Sequence, residues 1–213
     1  MSDDSNLVLK NVSLQTESPR IVLASQSSAR RMLLESAGLV ISCRPAAIDE
    51  GIIKRRCRAS GRDADATAME LAWAKAARIV DGDAIVIGAD QILSCDGEWF
   101  DKPADIAAAR AQLTRLRGRG HVLHTAVAVM RDGRRLWHHL ARPRLWMREF
   151  SDDFLDRYLR LEGAGVLSSV GAYRLEGPGL HLFDRMEGDH DAILGLPRMA
   201  LLEFLRQQGG VRT

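Results

Sequence analysis

The sequence predicts an α/β fold built on an extended mixed sheet flanked by helices. Short apolar runs typical of buried strands alternate with helical patterns in the first half of the chain. Asp-Gly pairs at 96–97 and 132–133 lie between strand-like runs and predict two hairpins in the middle of the chain. Strand–helix alternation favours parallel pairing and hairpins favour antiparallel pairing, so both are expected in one sheet.

The chain begins with a predicted strand, a serine-rich turn and a helix. The apolar run 21–24 predicts a buried strand, and Ser27 or Ser28 can cap the helix that follows, which stops near Gly38. A second helix is predicted over 65–80 from apolar residues at helical spacing.

The second buried strand is predicted over 84–87, ending at Gly88-Ala89-Asp90. Helices are then expected over 105–117 and from Ser151 to about Leu161. A Gly-Pro-Gly turn at 177–179 is predicted to join two late strands. Pro197 fits the first position of the last helix.

Composition narrows the functional class. The chain has 213 residues and a net charge of +2, which suits one large domain and excludes a general nucleic-acid binder. No apolar run approaches the length of a membrane span, so no membrane partner is expected. Three cysteines without a metal-type or disulfide pattern indicate reduced thiols and a cytoplasmic protein. Residues 1–20 are polar and predict a loose leader before a single domain over 21–213.

The turn after the first strand is a candidate phosphate-binding segment with the pattern Ser25-x-Ser27-x-x-Arg30-Arg31. A helix N-terminus offers unpaired N–H groups that attract phosphate, the serines add hydroxyl donors, and an arginine adds a planar fork. The alternative is an ordinary serine cap followed by solvated arginines.

Two acids, Glu50 and Asp90, are candidate metal ligands. Asp90 is placed at the carboxyl end of a buried strand, where α/β sheets position their sites. Two carboxylates from separate segments can hold Mg²⁺ or Mn²⁺, and one can orient or deprotonate a water. The alternative is a solvated loop acid for Glu50 and a turn acid for Asp90.

Lysine is scarce, since only four of the 30 basic residues are lysines. In this arginine-rich background a lysine indicates a position that needs a compact point charge. Lys75 and Lys102 are therefore candidate phosphate-binding residues, the alternative being ordinary surface lysines.

Other catalytic arrangements are disfavoured. His121 and His124 are three apart in a predicted strand, so they point to opposite faces and are interpreted as structural. A Ser-His-Asp hydrolase is disfavoured because no G-x-S-x-G pattern occurs in the sequence. The sequence also contains no P-loop and no G-x-G-x-x-G.

Taken together, the segments resemble the Maf family of nucleotide pyrophosphatases. The matching pieces follow family order from about residue 21 to 208: Leu23–Leu34, Asp49-Glu50, Leu71–Ala76, Gly88–Gln91, Lys102-Pro103, Gly118-x-x-His121, Gly171–Tyr173 and Gly188–Pro197.

This resemblance implies a cleft between two lobes of the sheet and metal-dependent hydrolysis of a nucleoside triphosphate to monophosphate and pyrophosphate. Asp90 matches the family's proton acceptor. The phosphate- and metal-handling positions of the family match Ser25, Arg30, Glu50, Lys75 and Lys102. The sequence leaves the oligomeric state open, a homodimer included.

Two positions depart from many members of the family and bear on the base that is recognised. Gln91 stands where many members have Thr, and Glu176 where many have Gln. Both resemble the branch that hydrolyses 7-methyl-GTP, although that branch tends to have Trp where this chain has Ala29. The alternatives are hydrolysis of UTP, dTTP, CTP or an ITP-type nucleotide, and a non-catalytic regulator of cell division.

Overall fold

The computed structural model describes residues 13–212, whose strands form one eight-stranded mixed sheet. Its strands are β1 (Ile21–Leu23), β2 (Ile41–Cys43), β3 (Ile85–Cys95), β4 (Glu98–Phe100), β5 (Gly120–Arg131), β6 (Arg134–Ala141), β7 (Arg144–Met147) and β8 (Phe183–Glu187). Its α-helices are α1 (Ser28–Ser36), α2 (Glu50–Ala59), α3 (Ala64–Ala77), α4 (Ile106–Leu116), α5 (Asp152–Glu162), α6 (His190–Ile193) and α7 (Arg198–Gln207).

The sheet combines the two pairing modes that the sequence predicts. The strand order is β2-β1-β3-β5-β7-β8, with β4 beside β3 and β6 beside β5. β1 pairs in parallel with β2 and β3, whereas the other pairs are antiparallel. Both predicted Asp-Gly hairpins are present, between β3 and β4 and between β5 and β6. The predicted α/β class with an extended mixed sheet is therefore confirmed.

Apolar cores lie in two lobes along the sheet. One lobe packs α1, α3 and α7 against β1 and the first half of β3. The other packs α4 and α5 against β7 and the end of β3. The long strands β3 and β5 belong to both lobes, so they connect the two cores and leave a cleft between them.

A glycine on β3 sets the distance between the sheet and α3. A Cβ atom added at Gly88 would lie 2.2 Å from the carbonyl oxygen of Ala72, which is closer than any side chain allows. The alanine-rich face of α3, including Ala72 and Ala76, is consequently in direct contact with the strand. This close approach brings Lys75 of the helix next to Asp90 of the strand.

The prediction that Asp90 ends a strand is wrong. β3 continues to Cys95, because beyond Leu23 its β1 side is open while its other side still pairs with β5. Asp90 is therefore a mid-strand residue at the point where the neighbouring strand β1 has stopped.

Three further expectations are corrected in detail. The predicted turn at 177–179 does not join two strands, because a 3₁₀ segment over Pro178–Leu182 precedes β8. The helix predicted over 65–80 ends at Ala77. Pro197 is the cap of the last helix and not its first residue.

The predicted leader falls only partly within the described residues. Residues 1–12 lie outside them. Within 13–20, Gln15 forms a β-bridge with Val211, and Thr16 bonds the backbone of Gly209 and Gly210. These residues are therefore attached to the C-terminal segment. Among residues 13–212 no helix has the length and apolar character that crossing a bilayer requires.

Candidate active site

A cleft of about 810 Å³ lies between the two lobes. Every candidate site residue from the sequence except one lines it. These are Ser25, Ser27, Ala29, Arg30, Glu50, Lys75, Asp90, Gln91, Lys102 and Glu176. Residues distant in sequence thus meet in one place.

The turn between β1 and α1 forms one wall. Ser27 caps α1, and its hydroxyl oxygen accepts from the N–H of Arg30 at 3.3 Å. The side chain of Arg30 crosses the cleft, where Nε donates to the carbonyl oxygen of Gly195 at 2.8 Å and Nη1 approaches Ser25 Oγ at 3.4 Å. The first N–H groups of a helix have no intrahelical acceptor, so this wall presents donors suited to phosphate oxygens.

Arg31 is the exception, since it does not line the cleft, and its assignment to phosphate binding stays a prediction. Arg31 follows Arg30 on α1, so its side chain is rotated about 100° around the helix axis. It is exposed, and its Nε donates to Glu35 Oε1 at 2.7 Å, one turn further along the helix. A run of two arginines does not show which one faces the site.

Opposite this wall lies a group of three charges that we call the acid–lysine cluster: Glu50, Lys75 and Asp90. Lys75 Nζ lies 2.5 Å from Asp90 Oδ1 and 2.8 Å from Glu50 Oε1. Asp90 is only 4% exposed, and its Oδ2 has no hydrogen-bond partner among the described residues. A buried carboxylate oxygen left without a partner is costly, which points to a ligand at this position.

The charged side chains that line the cleft favour binding of an anion. Partial burial disfavours the charged form of Glu50, but Lys75, Lys54 and Lys102 outweigh it and lower the pKa of Glu50. Burial, and next the charge of Arg30, lower the pKa of Lys102. Lys102 has no ion pair among residues 13–212. Bringing such cations together without full compensation favours binding of a polyanion.

Lys54 is a further lysine of the cleft, although lysine scarcity indicated only Lys75 and Lys102 as candidates. Lys54 lines the cleft beside Glu50, and its ammonium forms an ion pair with Asp101, which is also part of the lining. Three of the chain's four lysines are therefore cleft residues, and the fourth, Lys10, lies outside the described residues.

Gln91 lines the cleft, but the amino half of its amide is already engaged. Its Nε2 donates to Thr125 Oγ1 at 2.8 Å and to the carbonyl oxygens of Ala192 and Ile193 at 2.9 and 3.1 Å. Thr125 Oγ1 itself donates to Ala192, so it accepts from Gln91, and this fixes the orientation of the amide. Only the amide oxygen of Gln91 remains available to a ligand.

Glu176 and Ala29 also line the cleft. Glu176 is exposed and has no hydrogen bond or ion pair among residues 13–212, so its carboxylate is free to accept. Ala29 offers only a methyl group. Gln91 and Glu176 therefore present hydrogen-bond acceptors to the cleft, and Ala29 provides no stacking surface from α1.

A second polar network joins α3 to the sheet, and we call it the serine–histidine network. Ser94 Oγ lies 2.7 Å from His124 Nε2, and His124 Nδ1 lies 2.6 Å from Asp65 Oδ1. The other oxygen of Asp65 accepts from Arg142 at 2.6 Å.

This arrangement has the residue types of a hydrolase triad but not the surroundings. Ser94 is a mid-strand residue paired with both β4 and β5, so its backbone N–H is not free to form an oxyanion site. Ser94 does not line the cleft described above. The network is a polar contact that fixes the first turn of α3.

His121 and Tyr173 form a buried pair behind the cleft. His121 Nε2 lies 2.8 Å from Tyr173 Oη, and the ring is 2% exposed. Burial lowers the pKa of His121 to about 4, so the imidazole is neutral. Because Tyr173 also lines the cleft, the pair supports the segment that leads to Glu176.

Similarity to known proteins agrees with this geometry. The family model described as "Maf-like protein" matches residues 20–208. The chain belongs to this family of α/β proteins, whose motifs line the cleft described above.

Individual relatives extend over nearly the same length. A protein of Granulibacter bethesdensis named nucleoside triphosphate pyrophosphatase is 54% identical, over 88% of this chain and 96% of that protein. A protein of Gluconobacter oxydans with the same name is 53% identical, over 89% and 95%. A Rhizobium johnstonii protein named 7-methyl-GTP pyrophosphatase is 45% identical, over 91% and 98%. The prediction of a pyrophosphatase-type enzyme agrees with these names.

Proposed function

We propose that this chain hydrolyses nucleoside triphosphates between the α and β phosphates, releasing a nucleoside monophosphate and pyrophosphate. The observation that supports this most directly is the buried, unpartnered Oδ2 of Asp90 opposite the donor-rich start of α1. A carboxylate base facing a phosphate-binding wall suits attack by water on a phosphorus atom. The names of the relatives support the same activity.

In this proposal Asp90 positions the attacking water. Lys75 Nζ lies 2.5 Å from Oδ1, so the carboxylate cannot rotate freely, and Oδ2 is the oxygen left without a partner among the described residues. Oδ2 accepts a proton from water as the oxygen attacks the α phosphorus and the bond to the bridging oxygen breaks. The electron pair of that bond leaves with pyrophosphate, whose charge Arg30, Lys75 and Lys102 stabilise.

A divalent cation fits the same cluster. Among the described residues no group of three or more His, Cys, Asp or Glu side chains has metal-binding geometry. Mg²⁺ is commonly bound by one or two carboxylates together with phosphate oxygens and water. The carboxylates of Asp90 and Glu50 would be such ligands, and Mg²⁺ or Mn²⁺ held there would offset charge on the phosphates.

Product analysis tests the proposed bond cleavage. The purified chain, incubated with a triphosphate panel and Mg²⁺ or Mn²⁺, is expected to release monophosphate and pyrophosphate, and EDTA is expected to abolish the reaction. Diphosphate and orthophosphate as products would contradict it. Binding of nucleotide without turnover would favour a non-catalytic regulator.

We also propose a preference for 7-methyl-GTP or another guanine-type triphosphate. Guanine presents two adjacent donors on its Watson–Crick edge. In the cleft, the carboxylate of Glu176 and the amide oxygen of Gln91 are free acceptors. The positive charge of 7-methylguanine is further stabilised by a carboxylate. The relative named 7-methyl-GTP pyrophosphatase supports this choice.

A substrate panel decides base preference. The ratio of kcat/KM for 7-methyl-GTP over UTP is expected to exceed one, and dTTP and CTP are expected to resemble UTP. A higher kcat/KM for ITP than for 7-methyl-GTP would favour an ITP-type enzyme. A cytoplasmic location and a homodimer remain predictions from the sequence, testable by cell fractionation and by light scattering.

A further inference from the structure

We propose that Lys54 is an additional polyphosphate-binding residue, which Asp101 neutralises until substrate displaces the aspartate. The proposal rests on the proposed function, because a triphosphate is the anion that would take the place of Asp101. The carboxylate would turn toward solvent, and the ammonium would then contact phosphate oxygens.

The position of Lys54 follows from its helix. Glu50 is the first residue of α2, and Lys54 is one turn later, so the two side chains share a face of the helix. That face lines the cleft. The side chain of Lys54 is only 15% exposed, which is low for a lysine outside a binding site.

The charge of Lys54 acts on the site already described. Lys54 lines the cleft together with Lys75 and Lys102. Four cationic side chains, these three lysines and Arg30, thus line the same cleft. A triphosphate carries several negative charges, so it can engage more cations than one carboxylate can.

Phosphate oxygens could replace the carboxylate of Asp101 at Lys54 at little cost. The Asp101 side chain is 62% exposed, and ion pairs that reach solvent contribute little to stability. Its backbone is nevertheless fixed, because Gln112 Nε2 donates to the carbonyl oxygen of Asp101 at 2.8 Å. The carboxylate can therefore rotate to solvent without moving the segment that places Lys102 in the cleft.

The alternative is a purely structural contact, in which Lys54 and Asp101 join α2 to the segment after β4. The two interpretations predict opposite effects of changing Asp101. If the pair is structural, removal of either charge weakens anion binding. If Lys54 is a ligand that Asp101 masks, removal of the aspartate charge strengthens anion binding.

The test measures binding of sodium tripolyphosphate to the full chain by titration calorimetry, with Mg²⁺ present. We compare wild type with Lys54→Met and Asp101→Asn. Arg55→Met serves as the matched control, because Arg55 is the next residue on α2, is exposed and does not line the cleft. Thermal melts confirm that each variant is folded.

Lys54→Met is expected to raise the Kd for tripolyphosphate roughly tenfold or more, as expected for loss of one charge-assisted contact. Asp101→Asn is expected to lower that Kd by about threefold, and Arg55→Met to leave it unchanged within about twofold. A Kd that rises in Asp101→Asn as in Lys54→Met would overturn the proposal. So would a Lys54→Met value equal to that of Arg55→Met.

Turnover separates this proposal from the proposed function. Wild-type release of pyrophosphate from a triphosphate decides the function by itself. If wild type releases pyrophosphate and Lys54→Met retains wild-type KM and Kd, the function stands and the role of Lys54 is refuted. If wild type binds tripolyphosphate through Lys54 but releases no pyrophosphate, the function is refuted and the binding site stands.

Discussion

The acid–lysine cluster and the serine–histidine network join the same helix to the same strand, yet only the acid–lysine cluster lines the cleft. Lys75 and Asp65 lie on α3, and Asp90 and Ser94 lie on β3. Because Asp90 and Ser94 are four residues apart on a strand, their side chains share a face of the sheet. Both groups are therefore polar contacts between α3 and β3, one at each end of the helix.

The difference is hydrogen-bond saturation. Both carboxylate oxygens of Asp65 are engaged, one by His124 and the other by Arg142. Asp90 has one oxygen fixed by Lys75 and the other without a partner among the described residues. A saturated network fixes structure, whereas a buried atom held without a partner has capacity left for substrate. Residue types alone do not separate the two groups, since Ser, His and Asp are also a familiar catalytic set.

Replacing Asp90, whose Oδ2 has no partner among the described residues, should have the largest effect on turnover. Asp90→Asn is expected to reduce kcat by roughly a hundredfold or more, because an amide cannot accept the proton of water. The change is nearly isosteric, so the melting temperature should stay close to that of wild type. Steady-state release of pyrophosphate and a thermal melt provide the two measurements.

Ser94→Ala is the matched control for Asp90→Asn. It removes the serine of the saturated network, and turnover should remain within about twofold of wild type, the range expected of a residue outside the chemistry. Loss of turnover in Ser94→Ala together with wild-type turnover in Asp90→Asn would reverse the assignment of the two groups.

Because of a third polar group, the buried pair of His121 and Tyr173, we expect the stability of the chain to depend strongly on pH. His121 has a pKa of about 4 in the folded chain, against 6.5 as its ordinary value. Between these values the unfolded chain binds the proton that the folded chain excludes, so stability falls as the pH drops from 6.5 toward 4. The full contribution is about 3 kcal/mol, of which about 2 kcal/mol is lost by a pH of about 5.

Urea denaturation at neutral pH and near pH 5 measures this loss. The double variant His121→Phe with Tyr173→Phe removes the titrating group and its partner together, so no hydroxyl is left unpaired. Its stability should change less between the two pH values. His181→Gln alters an exposed histidine and should retain the wild-type slope. An unchanged slope in the double variant would remove His121 as the source.

The sequence predicted the elements better than their ends. The Asp-Gly hairpins and the serine cap at Ser27 are local signals and were confirmed. The extent of β3 was missed, because the strand was predicted from its apolar run at 84–87 alone. The hairpin predicted at 96–97 already required a strand that reaches about residue 95, which makes Asp90 a mid-strand residue.

The prediction of site residues was limited in the same way, because the fold decides which side chains reach the cleft. Lys75 and Lys102 stood out because lysine is rare in this chain, and both line the cleft. Arg31 was included with Arg30 because the pattern does not specify which side of a helix faces the site. Lys54 was passed over because its partner, Asp101, is 47 residues away and only the fold brings them together.

The saturated network should affect stability and leave catalysis alone. Asp65→Asn retains the shape of the side chain but removes the charge that Arg142 and His124 contact. We expect a loss of about 1 kcal/mol in the free energy of unfolding. kcat should remain within about twofold of wild type. A large loss of kcat without destabilisation would show that this network also belongs to the active site.

The smallest expected effect concerns base choice. Glu176→Gln replaces a free carboxylate by an amide that can both donate and accept, so pyrimidine bases are less strongly rejected. Gln91→Thr frees the carbonyl oxygens of Ala192 and Ile193 that the glutamine amide now contacts, which should loosen the same end of the cleft.

The double variant should lower the ratio of kcat/KM for 7-methyl-GTP over UTP by about threefold to tenfold, the range that one altered hydrogen bond spans. Ala29 cannot stack on the base, so contacts at the Watson–Crick edge should account for most of the preference. Ala29→Trp supplies the absent stacking surface and should raise the ratio, whereas Arg55→Met, away from the cleft, should not move it. A ratio unchanged in the double variant would show that neither Glu176 nor Gln91 reads the base, and that backbone groups of the 192–195 turn are the next to test.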